Sequence, residues 1–171
     1  MDLIASFQVD HTKIRPGIYV SRVDAVGDGF VTTFDVRMKR PNVEPAVHPN
    51  ALHTIEHIVA TYLRNDPEWK DRIVYWGPMG CLTGNYLLVK GRPTPQEICP
   101  LVLAAFRHCR DYNGVVPGTT AETCGNFRLH DLAMAKWEAA QFVARLESEP
   151  SFDYPAATRV VTEKGLLFHD S

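Results

Sequence analysis

Two histidines and a glutamate share one short stretch: His53, Glu56 and His57 lie within the run from Asn50 to Arg64. On a helix, residues four apart stand one turn above the other on the same face, and Glu56, three after His53, projects from nearly the same side. Neutral imidazole is the commonest protein ligand for a divalent transition metal, so this spacing supplies two corners of a metal site. The remaining residues of the run are apolar (Leu52, Ile55, Ile58, Val59, Ala60, Tyr62, Leu63). Burying an ionisable trio among them is costly unless a metal or a hydrogen-bond network satisfies it. The plain alternative is a helix whose two histidines and glutamate face solvent or one another, and a motif this short allows either.

Two residues cannot hold a catalytic metal, which takes a third protein ligand and keeps one position open. The order His-x-x-Glu-His matches the inverzincin peptidases, in which the glutamate is a general base and a second acidic residue completes the shell. Glu97, Glu122, Glu138 and Glu147 are candidates for that residue on the reading of a small inverzincin-like metallohydrolase, and each also fits a cap or surface charge. The four cysteines offer another reading. Cys109 falls on the apolar stripe of a helix and Cys99 near that helix's start, positions that suit packing. Cys81 lies between Gly80 and Gly84, and Cys124 precedes Gly125, so both sit in loops that a ligand can approach closely. A thiolate binds borderline divalent metals well. One of these two cysteines can be the third ligand and the other a reactive thiol beside the cation.

The elements that must position these groups can be read from pattern. Residues 18–26 and 30–38 form β-strands joined at Gly27-Asp28-Gly29, an antiparallel hairpin. Pro41, Pro45 and Pro49 punctuate a connector, after which Asn50 is placed as the N-cap of the metal-binding helix, ended at Asn65-Asp66-Pro67. Short strands follow at 73–76 and 86–90. Thr94-Pro95-Gln96-Glu97 is a capping box that starts a helix with Ile98, Leu101, Val102, Ala105, Phe106 and Cys109 on its apolar face. Asn113-Gly114 ends it. A last helix, 131–146, buries Leu132, Ala135, Ala139, Phe142 and Leu146, and the stretch from Ser148 is assigned no element. Hairpin strands with interspersed helices predict an α+β fold, with an antiparallel sheet packed by helices around the His-x-x-Glu-His helix.

Length and composition bound the partners. A chain of 171 residues, 45% hydrophobic and 22% charged, suits one globular domain spanning 1–171. A net charge of −2 gives no basic footprint for nucleic acid. No apolar run approaches the ~20 residues that cross a bilayer. The opening residues MDLIASFQVDH lack a basic region followed by an apolar one, which predicts a reducing cytoplasm and free thiols.

Across most of its length the chain resembles the S-ribosylhomocysteine lyases, the family that makes a quorum-signal autoinducer precursor and recycles homocysteine towards methionine. The matching segments are Ser6-Phe-Gln-Val-Asp-His11-Thr-Lys, Phe34-Asp-Val-Arg37 with Arg40-Pro-Asn42, and Leu52-His-Thr-Ile-Glu-His57. They continue with Pro78-Met-Gly-Cys81-Leu-Thr-Gly84, Pro117-Gly118, and Cys124-Gly-Asn-Phe-Arg-Leu-His130-Asp-Leu. Each is short, but together they run in the family's order and spacing from residue 6 to about 147. The resemblance implies a homodimer with active sites at the interface and one divalent metal per subunit, Fe(II), with Zn(II) or Co(II) able to substitute. It implies His53, His57 and Cys124 as metal ligands, Cys81 and Glu56 as acid/base groups, and Ser6, His11, Arg37 and Arg64 as substrate-binding residues. His130-Asp131 reads either as support for the metal ligands or as an ordinary helix start. Three positions depart from the family pattern: Tyr75 where an acidic residue is usual, Gly77 for serine and Asn85 for an aromatic. They leave a related thioether sugar as an alternative substrate.

Overall fold

The structure, a computed structural model, describes residues 9–155. Among the described residues are four strands and three helices: β1 (Gly17–Val26), β2 (Gly29–Arg37), α1 (Pro49–Asn65), β3 (Ile73–Pro78), β4 (Gly84–Lys90), α2 (Pro95–Arg110) and α3 (Leu132–Ser148). The strands form one antiparallel sheet in the order β1-β2-β4-β3. Val26 pairs with Gly29, leaving a two-residue turn in which Gly27 takes φ +56, a left-handed conformation that glycine adopts without a Cβ clash. The α+β class and the first hairpin thus stand as the sequence predicts, with β1 and β2 each beginning one residue earlier.

One face of the sheet, carrying Phe34, Val36, Ile73, Trp76, Leu87 and Val89, packs against the apolar stripes of all three helices. Alternation along β2 puts Thr33, Asp35 and Arg37 on the other face, yet these are buried too. The segment Ser151–Tyr154 crosses over them. Ser151 accepts a hydrogen bond from Ile18 N (2.9 Å), the Tyr154 ring stacks on Tyr19 at 4.6 Å, and the Tyr154 hydroxyl donates to Asp35 Oδ2 (2.9 Å). A stretch assigned no element by pattern therefore seals a polar face of the sheet.

Three helix boundaries show how caps work. The α1 cap is His48, whose Nδ1 accepts from Asn50 N (3.3 Å); the predicted cap, Asn50, is inside the helix because Pro49 occupies its first turn. Thr94 and Glu97 form the expected reciprocal capping box at α2, which runs on through Pro100. Asp131 caps α3 by accepting from Met134 N (2.9 Å).

Glu138 is not a surface charge. It lies on the inner side of α3 in an ion pair with Lys39, just past β2, with the two side chains 6% and 9% exposed. Arg145 of α3 pairs with Glu44 in the same connector. Removing one member of a buried pair leaves the other charge uncompensated. Glu138→Ala should lower unfolding free energy by about 3 kcal/mol, and the double change Lys39→Met/Glu138→Leu should recover most of that loss. Urea denaturation of wild type and the two variants checks both.

Candidate metal centre

The apolar stripe of α1 (Ala51, Leu52, Ile55, Ile58, Val59, Leu63) turns into the core, which rotates His53, Glu56 and His57 to the half-buried opposite side. The loop between α2 and α3 folds over that side and brings Cys124 and His130 to the histidine pair. The potential ligand atoms of His53, His57, Cys124 and His130 all lie within 4.8 Å of one another. Cys124 Sγ is 3.5 Å from His53 Nε2 and 3.8 Å from His57 Nε2. A tetrahedral metal with ordinary bond lengths to nitrogen and sulfur separates such ligands by about 3.5 Å.

Tautomers are set by the backbone. His53 Nδ1 lies 2.7 Å from Leu129 O, and His57 Nδ1 lies 2.7 Å from Pro117 O. A carbonyl can only accept, so both rings carry their proton on Nδ1 and direct the Nε2 lone pair inward. Asn126 N donates to Cys124 Sγ (3.4 Å). Two imidazole nitrogens and one cysteine sulfur, the imidazoles' outer nitrogens already satisfied, fit a borderline divalent ion.

Two further residues shape the centre. Gly118, at φ +70, lies against the His57 ring; a Cβ there would come within 3.2 Å of His57 Nδ1. Thr54, fully buried, touches both His130 and Asp131. Spacing pointed to neither. Gly118 falls in the quoted Pro117-Gly118 segment, while Thr54 looks like one more buried residue of an amphipathic helix. His130 stands beside the histidine pair, its ring stacked on that of His53. Burial, and then the His53 and His57 rings beside it, push its imidazole down to about 4, so it is neutral at neutral pH.

A second cluster forms at the β3–β4 turn. Leu82 adopts φ +60, unusual for a bulky residue, and its N–H and C=O are held by Met79 O and Val47 N (both 2.9 Å). This turn presents Cys81 to solvent. Its sulfur lies 3.1 Å from Thr83 Oγ1 and 3.8 Å from Arg37 Nη1. Arg37 is a buried strap rather than an edge charge. It donates from Nε and Nη2 to the two oxygens of Asp35 (3.0 and 2.6 Å) and from Nη1 to Thr83 (2.7 Å). Burial, and then the Asp35 charge, push the Tyr154 phenol up, so it remains a donor to Asp35. His11, its Nδ1 donating to Val9 O (2.8 Å), lines a small cleft with Asp35, Arg37, Tyr86 and Tyr154.

The other expected residues are dispersed. Ser6 lies outside the described residues. Arg64 is exposed at the end of α1 and donates to Val74 O (3.0 Å). Glu56 makes no side-chain hydrogen bond among the described residues, and no hydrogen bond there joins the Cys81 cluster to the histidines. None of the four acidic candidates for a third ligand joins the centre: Glu97 is in the capping box, Glu138 pairs with Lys39, Glu147 pairs with Arg107 and Glu122 is exposed. Two of the departures prove to be one arrangement, because the Tyr75 ring occupies the space a Gly77 side chain would need, with a Cβ falling 1.9 Å from the Tyr75 hydroxyl. Asn85 is fully buried, donating to Met38 Sδ (3.4 Å).

A methyl group at residue 118 would press on the His57 ring that Pro117 holds. Gly118→Ala, which also strains the backbone at φ +70, should keep the secondary structure but weaken metal binding by about 10- to 100-fold, the scale of losing support around a metal site. Chelator competition with Zn(II), alongside circular dichroism, measures this.

Comparison with known proteins adds the family. Residues 4–152 match the model of S-ribosylhomocysteinase (LuxS). The S-ribosylhomocysteine lyase of Phocaeicola vulgatus is 59% identical over 143 residues, 84% of this chain and 89% of that protein. Those of Porphyromonas gingivalis and Desulfotalea psychrophila are 54% and 47% identical, each covering 91% of this chain and 99% and 100% of the relative. With the family model matched over residues 4–152 and these identities over most of its length, the chain belongs to the S-ribosylhomocysteinase (LuxS) family.

Proposed function

We propose that the chain is a metal-dependent lyase that cleaves the thioether of S-ribosylhomocysteine to homocysteine and 4,5-dihydroxy-2,3-pentanedione. The observation that carries this reading is the convergence of His53 Nε2, His57 Nε2 and Cys124 Sγ, at tetrahedral spacing, in a chain belonging to this family. A divalent ion held there, Fe(II) with Zn(II) or Co(II) as substitutes, would supply Lewis acidity to a substrate oxygen as negative charge develops on it.

The protein's own groups move the protons. Migration of the ribose carbonyl along the chain removes a proton from the carbon beside it and returns one to the neighbouring carbon. Cys81 and Glu56 are the pair assigned to this shuttle, one on each side of the sugar. Glu56 has no competing partner among the described residues, and Cys81 sits on a braced, exposed turn, both of which suit groups that must reach a ligand. When the carbonyl reaches the third carbon, removal of the proton at the fourth expels the thioether sulfur as homocysteine thiolate by β-elimination. Arg37, with His11 and Ser6, would hold the sugar end, and Arg64 the carboxylate of the homocysteine end.

Among the described residues no hydrogen bond joins the two clusters, which suits a homodimer in which the Cys81–Arg37–His11 side of one subunit faces the histidine centre of the other. Four unpaired thiols suit a reducing cytoplasm, and among the described residues no helix is long and apolar enough to cross a membrane. A related thioether sugar is the second reading, favoured by the exposed Tyr75 ring over Gly77, which replaces an acidic residue and a serine of the family pattern.

Metal-loaded protein should release free thiol from S-ribosylhomocysteine, detected with a thiol reagent; release from a related thioether sugar alone would shift the reading to the second substrate. Cys81→Ala should cut turnover by about 10³-fold with metal still bound, the scale of losing a general acid/base group. Metal loss in Cys81→Ala, with retention in Cys124→Ala, would reverse the two cysteine assignments.

A further inference from the structure

His130 is close enough to count as a fourth metal ligand, yet its ring orientation excludes it. The His130 and His53 rings are stacked, with centroids 4.2 Å apart and planes only 17° from parallel. An imidazole lone pair lies in the plane of its ring. A metal on the His53 lone pair is therefore displaced from the His130 plane by roughly a stacking distance, about 3.5 Å. The His53 and His57 planes, in contrast, are 89° apart and can meet along a line, as co-ligands must.

The proton on His130 can nevertheless be assigned. Thr54 Oγ1 has one proton and lies 2.9 Å from Asn50 O, the usual back-bond of a helical threonine. The same oxygen accepts from Asp131 N (3.0 Å) and stands 3.1 Å from His130 Nδ1. With its only proton on Asn50, the hydroxyl accepts from His130, which places the ring's proton on Nδ1. Nε2 then carries a lone pair, is shielded from solvent and has no hydrogen-bond partner among the described residues. An unsatisfied buried acceptor is costly, so its retention needs a partner that arrives with a ligand.

We propose that His130 Nε2 accepts a hydrogen bond from the hydroxyl of whatever oxygen ligand, water or sugar, takes the coordination position that His53, His57 and Cys124 leave open. This rests on the metal centre proposed above and adds a residue to it. In the lyase reaction a sugar hydroxyl beside the carbonyl must lose its proton as the carbonyl moves. A neutral lone pair at that oxygen orients the hydroxyl and favours the proton's departure. Thr54 acts through His130 and is a positioning residue.

The test loads wild type, His130→Ala, His130→Gln and His130→Phe with Co(II) alone, and measures affinity by chelator competition together with the visible spectrum. Because no ligand is lost, all three variants should bind Co(II) within about threefold of wild type and keep the thiolate-to-metal band. In thiol release, kcat of the Ala and Phe variants should fall by about 10- to 100-fold with KM little changed, the usual cost of losing a partner around a metal site. Gln, which keeps an acceptor where Nε2 was, should recover part of the rate, an effect a purely structural role would not give. A loss of Co(II) affinity of a hundredfold or more, or a changed ligand-field spectrum in His130→Phe, would make His130 a ligand and overturn the proposal. Unchanged kcat would overturn it as well. A thiolate band absent from wild type, or surviving in Cys124→Ser, would remove instead the metal centre on which the inference rests.

Discussion

An imidazole has one proton and one lone pair, and in this chain the backbone takes the proton. Leu129 and Pro117 accept from the Nδ1 of His53 and His57, and the rest of the centre follows. Without those two bonds either ring could present an N–H to the interior, and an inward N–H cannot bind a metal. Both carbonyls belong to the loop between α2 and α3, which also carries Gly118, Cys124 and His130. The loop's position is fixed in turn by Thr54, one turn into α1, through Asp131 N. The helix and the loop each hold what the other lacks. The i, i+4 pair has the geometry but not the third ligand, and the loop has the thiol but no rigid element to aim it.

The second cluster is held by a different device. Asp35 and Arg37 alternate onto the face of β2 opposite the core, where a charge pair would ordinarily meet water. Tyr154 closes over them, and Arg37 directs Nη1 at Thr83 and Cys81. The pair's burial is tolerable because nearly every donor and acceptor is matched. The consequence is a cysteine held at the tip of a strained turn by groups that are themselves rigid. A thiol supported this way can be exposed without being mobile.

Much of this was legible in residue order. The hairpin at Gly27, the capping box at Thr94 and the helical spacing of His53 and His57 are local patterns, and local patterns survive folding. Cys124 could be paired with the histidines only through the resemblance, since glycine-bounded loops fitted Cys81 equally well. What escaped the sequence was non-local. Glu138 reads as a surface or capping charge because Lys39, its buried partner, lies far from it in sequence. Asn50 was placed as the α1 cap because Pro49 looked like the end of a connector rather than the first residue of a helix. His130 remained ambiguous for a related reason: its neighbour Asp131 caps α3, and nothing in sequence indicates that its ring stacks on His53. The crossing of Ser151–Tyr154 over β1 and β2 left no periodic signal, because it belongs to neither helix nor strand.

Anomalous diffraction from crystals of the metal-loaded protein tests the central claim most directly. The account predicts an ion bound by His53 Nε2, His57 Nε2 and Cys124 Sγ at about 2.0–2.3 Å, the usual lengths for these ligands, with an oxygen ligand in the fourth position. His130 Nε2 would contact that oxygen and stay beyond bonding distance of the metal. An ion bound by Cys81 in place of Cys124, or bonded directly to His130, would contradict it.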